Sequence, residues 1–490
     1  MILNHQLCYS VIKSRDARFD GQFYTAVLTT GIYCRPICPA ITPRPENVRF
    51  FISASAAEAE GFRPCLRCRA ESSPGTPDWQ GSSALVSRAL RLISEGYLNE
   101  AGIDDLAHHL NIGTRHLRRL FVKQLGAPPS AVEQTRRLHF AKKLIDETKL
   151  PMSEIAFCAG FSSIRRFNAA IRSAYDRTPT ELRRKGNIGR PKANNLNPHN
   201  LQLRLSYRQP LDWPALIRFL RVRAIPGVES VERDQYRRTV QIEDRVGVIE
   251  LRFVEGQRHL LLSVPPDLSR SLMQISERIR TLFDLRADPL VITNHLKQDE
   301  QMADLVEQHP GLRVPGAWDG FEVAVRAILG QQVSIKAANT IAGRLVKRYG
   351  EPPQTAGDDE LVYLFPRAER LAEAPLSDIG LMPRRAEAIR ALARAVRDGE
   401  LVFGTTIGLE EVIELLMALP GIGPWTAHYI AMRALSEPDA FPAGDLGLRR
   451  AAAQTKGSML TEAQLRQRAE AWRPWRAYGA MYLWQHYASF

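Results

Sequence analysis

Four cysteines constrain this chain more than any other feature. Cys34 and Cys38 lie in GIYCRPICPA, and Cys65 and Cys68 lie in GFRPCLRCRA. The spacing, C-x3-C and then C-x2-C after a gap of 26 residues, is that of a closed tetrahedral metal site with four sulfur ligands. Zn²⁺ is the expected ion. Such a site can staple a segment whose own core is too small to hold it together. Four thiolates around Zn²⁺ leave a formal charge of about −2. The rest of the chain is basic, with 66 Lys and Arg against 53 Asp and Glu and a formal net charge of +13. An anionic centre in a cationic protein needs a reason.

The basic balance predicts a polyanionic partner, most often nucleic acid. A chain of 490 residues exceeds one hydrophobic core, so three or four domains are expected. No apolar run approaches the ~20 residues of a membrane span. The start, MILNHQLCYSVIKSRDARFD, lacks the basic-then-apolar pattern of a signal peptide. With metal-spaced cysteines, this predicts a reducing, cytoplasmic, nucleoid-associated setting and no membrane partner. Cys158 falls on an apolar helix face and reads as buried packing.

Two breakers divide the chain: the turn-rich 72–77 and the polar, aperiodic stretch KGNIGRPKANNLNPHN over 185–200. Between them the helical pattern contains two similar units. In the first, Ile103–Leu110 leads through Gly113, read as the tight turn, and Thr114, read as an N-cap, into a basic helix. Leu117, Leu120 and Phe121 form its core stripe, and Arg115, Arg118 and Arg119 face outward. The second repeats the plan from Ser153 through Gly160 to Ile164, with Arg165 and Arg166 outward. A helical stretch over 130–147 joins the two. Ala-Gly-Phe-Ser-Ser before a basic helix, with Tyr175 through Pro179 after it, resembles the AraC-type DNA-binding domain over about 82–185. The resemblance implies sequence-specific binding of double-stranded DNA, with these arginines available for phosphates or guanines.

The segment Phe23–Pro36, with Glu46-Asn47-Val48 and Phe62-Arg63-Pro64-Cys65, resembles the N-terminal domain of Ada-type adaptive-response regulators. The resemblance implies that Cys34 accepts a methyl group from DNA methylphosphotriesters, with Cys38, Cys65 and Cys68 as spectator ligands. Thr30 and Arg63 become candidate DNA-backbone contacts. The chemistry is coherent: metal-held thiols stay deprotonated, and a thiolate is a nucleophile. A neutral triester admits an anionic site that ordinary phosphates repel. Methylation would remove one negative charge, raise affinity for promoter DNA and recruit RNA polymerase. The reactive Pro-Cys-His-Arg with which such regulators often end does not occur in this sequence.

The C-terminal half carries strand-like runs, Thr239–Ile242 and Val248–Phe253, and then helical periodicity from about residue 288. Leu419-Pro420-Gly421-Ile422-Gly423-Pro424-Trp425 reads as helix, hairpin, helix, with Gly421 and Gly423 offering amides to a phosphate. Further on comes Phe441-Pro442-Ala443-Gly444-Asp445. This pairing, with Phe321–Ser334 and Arg280–Leu285, resembles DNA-3-methyladenine glycosylase II of the AlkA type, from Leu201 nearly to the end. The resemblance implies that Asp445 is the catalytic carboxylate. Trp425 and Tyr429, spaced i and i+4, would stack on a flipped cationic base. Trp425 stands where lyase-type relatives carry a Lys, which predicts a monofunctional enzyme leaving an abasic site. Gln332 falls where the family can insert an apolar wedge.

The sequence therefore reads as multidomain α+β. It comprises a small four-cysteine zinc domain (1–78), an all-α double helix-turn-helix domain (82–185), a linker (186–200), an α+β strand-rich domain (201–287) and an all-α helix-hairpin-helix glycosylase domain (288–490). A monomer is expected. Two other readings stay open: a regulator whose glycosylase half only binds DNA, and a repair enzyme whose N-terminal half only targets it.

Overall fold

The computed structural model describes residues 3–74, 84–99, 101–185, 199–352, 360–403, 408–453 and 458–488. Most of the expected linker, 186–198, and part of the first breaker, 75–77, lie outside the described residues. The chain gathers into two compact units: Met1–Gln209 with Val254–Glu277 and Leu285–Ala287, and Pro210–Phe253 with Arg278–Asp284 and Asp288–Phe490. Among the described residues no helix is long and apolar enough to cross a membrane.

The first unit opens on a four-stranded sheet: β1 (Tyr24–Val27), β2 (Ile32–Cys34), β3 (Val48–Phe51) and β4 (Arg63–Pro64), in the order β3-β1-β2-β4. β1 is antiparallel to both β2 and β3, and β4 runs parallel to β2. Strand alternation sends Tyr24, Ala26 and Tyr33 to one buried face, where they meet Phe51, Ala57 and Ala70. The β1–β2 turn needs Gly31, whose φ is +65°. Cys34 thus ends a strand, and its sulfur faces the loops that carry the other three cysteines.

The helical middle follows as expected. Helices Ile103–His109 and Thr114–Leu125 make one helix-turn-helix, and Met152–Cys158 and Ile164–Tyr175 the other; Pro129–Glu147 joins them. Leu106, Leu117 and Phe121 are fully buried, as are Ile155, Phe167 and Ile171 in the second unit of the repeat. Cys158 is buried packing. The turn of the first motif departs from the sequence reading. Asn111, at φ +52°, supplies the left-handed residue, and Gly113 has an ordinary φ of −74° and is itself the N-cap. Asn tolerates that conformation because its short polar side chain can bond locally. Thr114 is the first helical residue, and its hydroxyl donates to Asp104 Oδ1 at 2.7 Å. In the second motif Gly160, at φ +82°, does hold the turn.

The second unit places an antiparallel ladder, Glu229–Val231, Gln235–Ile242 and Arg245–Phe253, beside the helix Trp213–Arg221. Trp213 stacks on both Phe253 and Phe283. Buried ion pairs fix this ladder to the helix Gly320–Leu329. Arg238 meets Glu322 at 2.8 Å, and Arg326 meets both Glu229 and Glu322 at 3.0 Å. Breaking one such pair would strand a buried charge, so they hold geometry even where their net stabilisation is small. Helices Pro383–Arg397, Leu409–Met417, Pro424–Ala434, Leu446–Ala451 and Arg476–Ala488 are among those that complete the unit.

Candidate functional site

The first unit assembles the four cysteines that spacing predicted. Their sulfurs lie within 4.8 Å of one another. Cys65 and Cys68 are buried; Cys34 and Cys38 remain partly exposed. Crowding alone perturbs the thiols: a hydrogen bond with Cys34 pulls Cys38 down to about 7, and the same contact pushes Cys34 up. Four sulfurs at this spacing, without a carboxylate or imidazole, suit Zn²⁺ as a closed all-cysteine set, and Zn²⁺ is the cofactor of this domain. One backbone amide reaches a sulfur: Arg35 N donates to Cys68 Sγ at 3.3 Å. The contacts that dominate at Cys34 are the neighbouring sulfurs.

The residue before Cys34 carries a second connection. The buried Tyr33 hydroxyl donates to Glu58 Oε1 at 2.7 Å and lies 2.8 Å from His139 Nε2. Glu58 also accepts from Thr135. Thr135 and His139 belong to the helix that joins the two helix-turn-helix motifs. After the last cysteine, Arg69 reaches Asp146 at 3.0 Å on that same helix. The joining helix therefore touches residues adjacent to the first and the last metal ligand.

Arg115, Arg118 and Arg119 are exposed on Thr114–Leu125, and Arg165 and Arg166 on Ile164–Tyr175. Thr30 and Arg63 are also exposed, and Arg63 lies 3.8 Å from Asp176, the residue capping the second basic helix. The candidate DNA contacts of this unit are thus free of burial, as phosphate contacts require.

In the second unit Asp445 is the N-cap of Leu446–Ala451. Its Oδ1 accepts from the Leu448 amide and from Trp484 Nε1, both at 3.0 Å, and its Oδ2 accepts from Trp425 Nε1 at 2.9 Å. Three donors lock the carboxylate plane. Trp425 and Tyr429 stack with centroids 5.4 Å apart, and Trp484 stands edge-on to Tyr429 at 6.2 Å. Sequence reasoning brought Asp445, Trp425 and Tyr429 together but missed Trp484. The one available signal was the aromatic density of YGAMYLWQHY near the end of the chain.

The Tyr429 hydroxyl accepts from Arg433 at 2.8 Å. Burial opposes ionisation of this phenol, but Arg433, Arg223 and Arg326 outweigh it and place it below the ordinary tyrosine range. Burial likewise pulls Arg433 below the usual guanidinium range. His428 is held down to about 4 by burial and by the nearby Arg476 and Arg466, and its Nδ1 accepts the Phe441 amide at 3.3 Å.

The hairpin between Leu409–Met417 and Pro424–Ala434 turns at Gly421, φ +79°, where a Cβ would lie 2.9 Å from that of Ala388. Gly423, by contrast, faces open space. Pro424 opens the second helix, so the free amides at its N-terminus can take an anion. Gln332 is exposed, with φ +53°. Its neighbour Gln331 turns inward and donates from Nε2 to Gly421 O at 2.9 Å and to Thr426 Oγ1 at 3.0 Å.

Four family models match in series: the metal binding domain of Ada over 7–71, a helix-turn-helix domain over 106–185, the AlkA N-terminal domain over 202–319, and the HhH-GPD superfamily of base excision DNA repair proteins over 325–477. Fold and sites thus define a DNA-binding protein that joins an Ada-type zinc domain to a helix-hairpin-helix glycosylase fold. One relative matches nearly end to end: the probable bifunctional transcriptional activator/DNA repair enzyme AlkA of Mycobacterium tuberculosis is 43% identical over 97% of this chain and 95% of its own. The chain belongs to that family of bifunctional activator and repair proteins. The DNA-3-methyladenine glycosylase 2 of Escherichia coli is 34% identical over 57% of this chain and 95% of its own length. The fold is also that of a 3-methyladenine DNA-glycosylase from Archaeoglobus fulgidus, with TM-score 0.51 and 24% identity, covering 59% of this chain and 98% of that one.

Proposed function

We propose that this chain senses DNA methylation damage through Cys34, activates transcription in consequence, and excises alkylated bases with its C-terminal half. The carrying observation is the Asp445 carboxylate, held by two indole N–H groups beside a stacked Trp425–Tyr429 pair. An N-alkylated purine is cationic and leaves readily once its sugar is stabilised. Asp445 would stabilise the oxocarbenium-like sugar and orient the attacking water. Trp425, Tyr429 and Trp484 would enclose the everted base. With Trp425 where a lyase needs an amine, release stops at the abasic site, so the enzyme is monofunctional.

In the first unit, bound Zn²⁺ would keep the cysteine sulfurs as thiolates. Cys34 sulfur attacks the methyl carbon of a methylphosphotriester, the carbon–oxygen bond breaks, and an ordinary phosphodiester leaves with the electron pair. A thioether has no evident route back, so each chain reacts once. The zinc site loses one negative charge. DNA then repels that site less, so Thr30, Arg63 and the arginines Arg115, Arg118, Arg119, Arg165 and Arg166 can make their contacts. Gly421 and Gly423 would hold a phosphate at the lesion, and Gln332 would fill the space the base vacates. We further propose a cytoplasmic, nucleoid-associated monomer that recruits RNA polymerase.

Two measurements test this. Methylated duplex DNA should release free base with the parent protein and not with Asp445→Asn. Intact-mass analysis after exposure to methylphosphotriester DNA should show one added methyl, on Cys34. A parent protein that releases no base would leave only the regulator reading.

A further inference from the structure

The two adjacent glutamines after Gly320–Leu329 do different things. Gln332 is exposed with a left-handed backbone, so its side chain leaves the surface. Gln331 points the other way, and its amide nitrogen bridges Gly421 O on the hairpin and Thr426 Oγ1 in the helix behind it. Its own carbonyl accepts from Arg385, on Pro383–Arg397. That helix also abuts the hairpin, where Gly421 leaves no room beside Ala388. One residue thus joins three elements that meet in this unit: the turn bearing Gln332, the hairpin, and Pro383–Arg397.

We propose that Gln331 is a positioning residue that latches the turn bearing Gln332 to the phosphate-binding hairpin, so that grip and insertion meet DNA as one rigid body. This rests on the glycosylase reading above. The physical reason is entropic. An exposed turn that must be ordered when it enters the base stack loses that freedom on binding, whereas a latched turn has lost it already. Thr426 is fully packed and presents only its hydroxyl, and Gly421 O has its partner within the protein. The latch therefore persists without DNA. Its loss would leave the hairpin's hold on a phosphate intact but let the turn drift from the base step it must enter.

The test measures base eversion directly, with a duplex carrying a fluorescent adenine analogue beside an abasic-site mimic, and in parallel the release of 3-methyladenine. Gln331→Ala should lower the eversion rate about tenfold, the scale of losing a bridging amide's hydrogen bonds, while affinity for undamaged duplex stays constant. Gln331→Glu keeps the volume but turns an acceptor toward Gly421 O, and should be at least as slow. Thr426→Ser should behave as the parent and Thr426→Val should fall between. Gln332→Ala should be slow as well. Adding Gln331→Ala to it should cost little more, because an absent wedge gains nothing from a latch. Independent, multiplying effects of the two glutamines, or a Gln331→Ala protein that everts at the parent rate, would overturn the latch. A parent that everts but releases no base would instead refute the glycosylase reading and leave the latch standing.

Discussion

The Tyr33 hydroxyl lies 2.8 Å from His139 Nε2, and so joins the strand that ends in Cys34 to the helix between the two DNA-binding motifs. Glu58 closes the triangle: it accepts from Tyr33 and Thr135, and its carboxyl is held below the usual range because His139, Thr135 and Tyr33 overcome its burial. A buried carboxylate that loses one of three donors is left partly uncompensated. Tyr33→Phe should lower the stability of this unit by about 1–2 kcal/mol, read as a reduced midpoint in thermal unfolding of the zinc-loaded protein.

Asp445 can be dissected by two substitutions. Asn keeps an oxygen for Leu448 and Trp484 but turns an amide N–H toward the Trp425 N–H. Ala loses all three contacts, the helix cap among them. Base release should fall on the order of a hundredfold or more in both. Asp445→Ala should also lose about 1 kcal/mol of helix capping that the Asn variant largely retains. Single-turnover release assays beside thermal melts separate the two effects.

Arg433, Arg223 and Arg326 surround the Tyr429 phenol, so it should ionise below the ordinary tyrosine range. The ultraviolet titration of the parent minus that of Tyr429→Phe should rise at a pH below the ordinary value of about 10. Arg433→Gln removes the guanidinium that donates to the phenol at 2.8 Å and should return that rise toward the ordinary value.

His428 gives a pH dependence whose sign is fixed. Its folded value, about 4, lies below the value of about 6.5 in an unfolded chain. Between these values the unfolded chain takes up a proton that the folded chain refuses, so stability falls as pH drops from about 6.5 to 4 and levels off below. The gap corresponds to at most about 3 kcal/mol, and partial exposure lowers that to about 1–2. Protonating Nδ1 also removes the acceptor for the Phe441 amide, which leads into Asp445. His428→Gln should flatten the loss of melting temperature between pH 7 and pH 4.

What the sequence showed and what it hid have physical causes. The cysteine set and the hairpin were legible because their ligands and turn residues lie close together in the chain. Asp445 was legible as a cap or as a catalyst, and the structure makes it a cap whose two oxygens also accept from Trp484 and Trp425. Asn111 was overlooked because a nearby Gly drew the turn assignment. Trp484 escaped because an indole 39 positions beyond Asp445 has no local mark of its partner. The Tyr33–His139 contact spans 106 positions, and no periodicity encodes such a pairing. Gln331 and Gln332 look alike as letters; only the backbone sends one inward and the other out.

That backbone has a consequence for the variation open to this turn. At φ +53°, a side chain branched at Cβ crowds its own carbonyl, whereas a straight-chain or γ-branched one is tolerated at modest strain. Drift at position 332 is thus channelled: glutamine, methionine, asparagine or leucine can be sampled, while isoleucine, valine and threonine are penalised before any nucleic acid arrives. The ancestry of this tip should accordingly be a history of flexible probes of varying length, never of stiff ones.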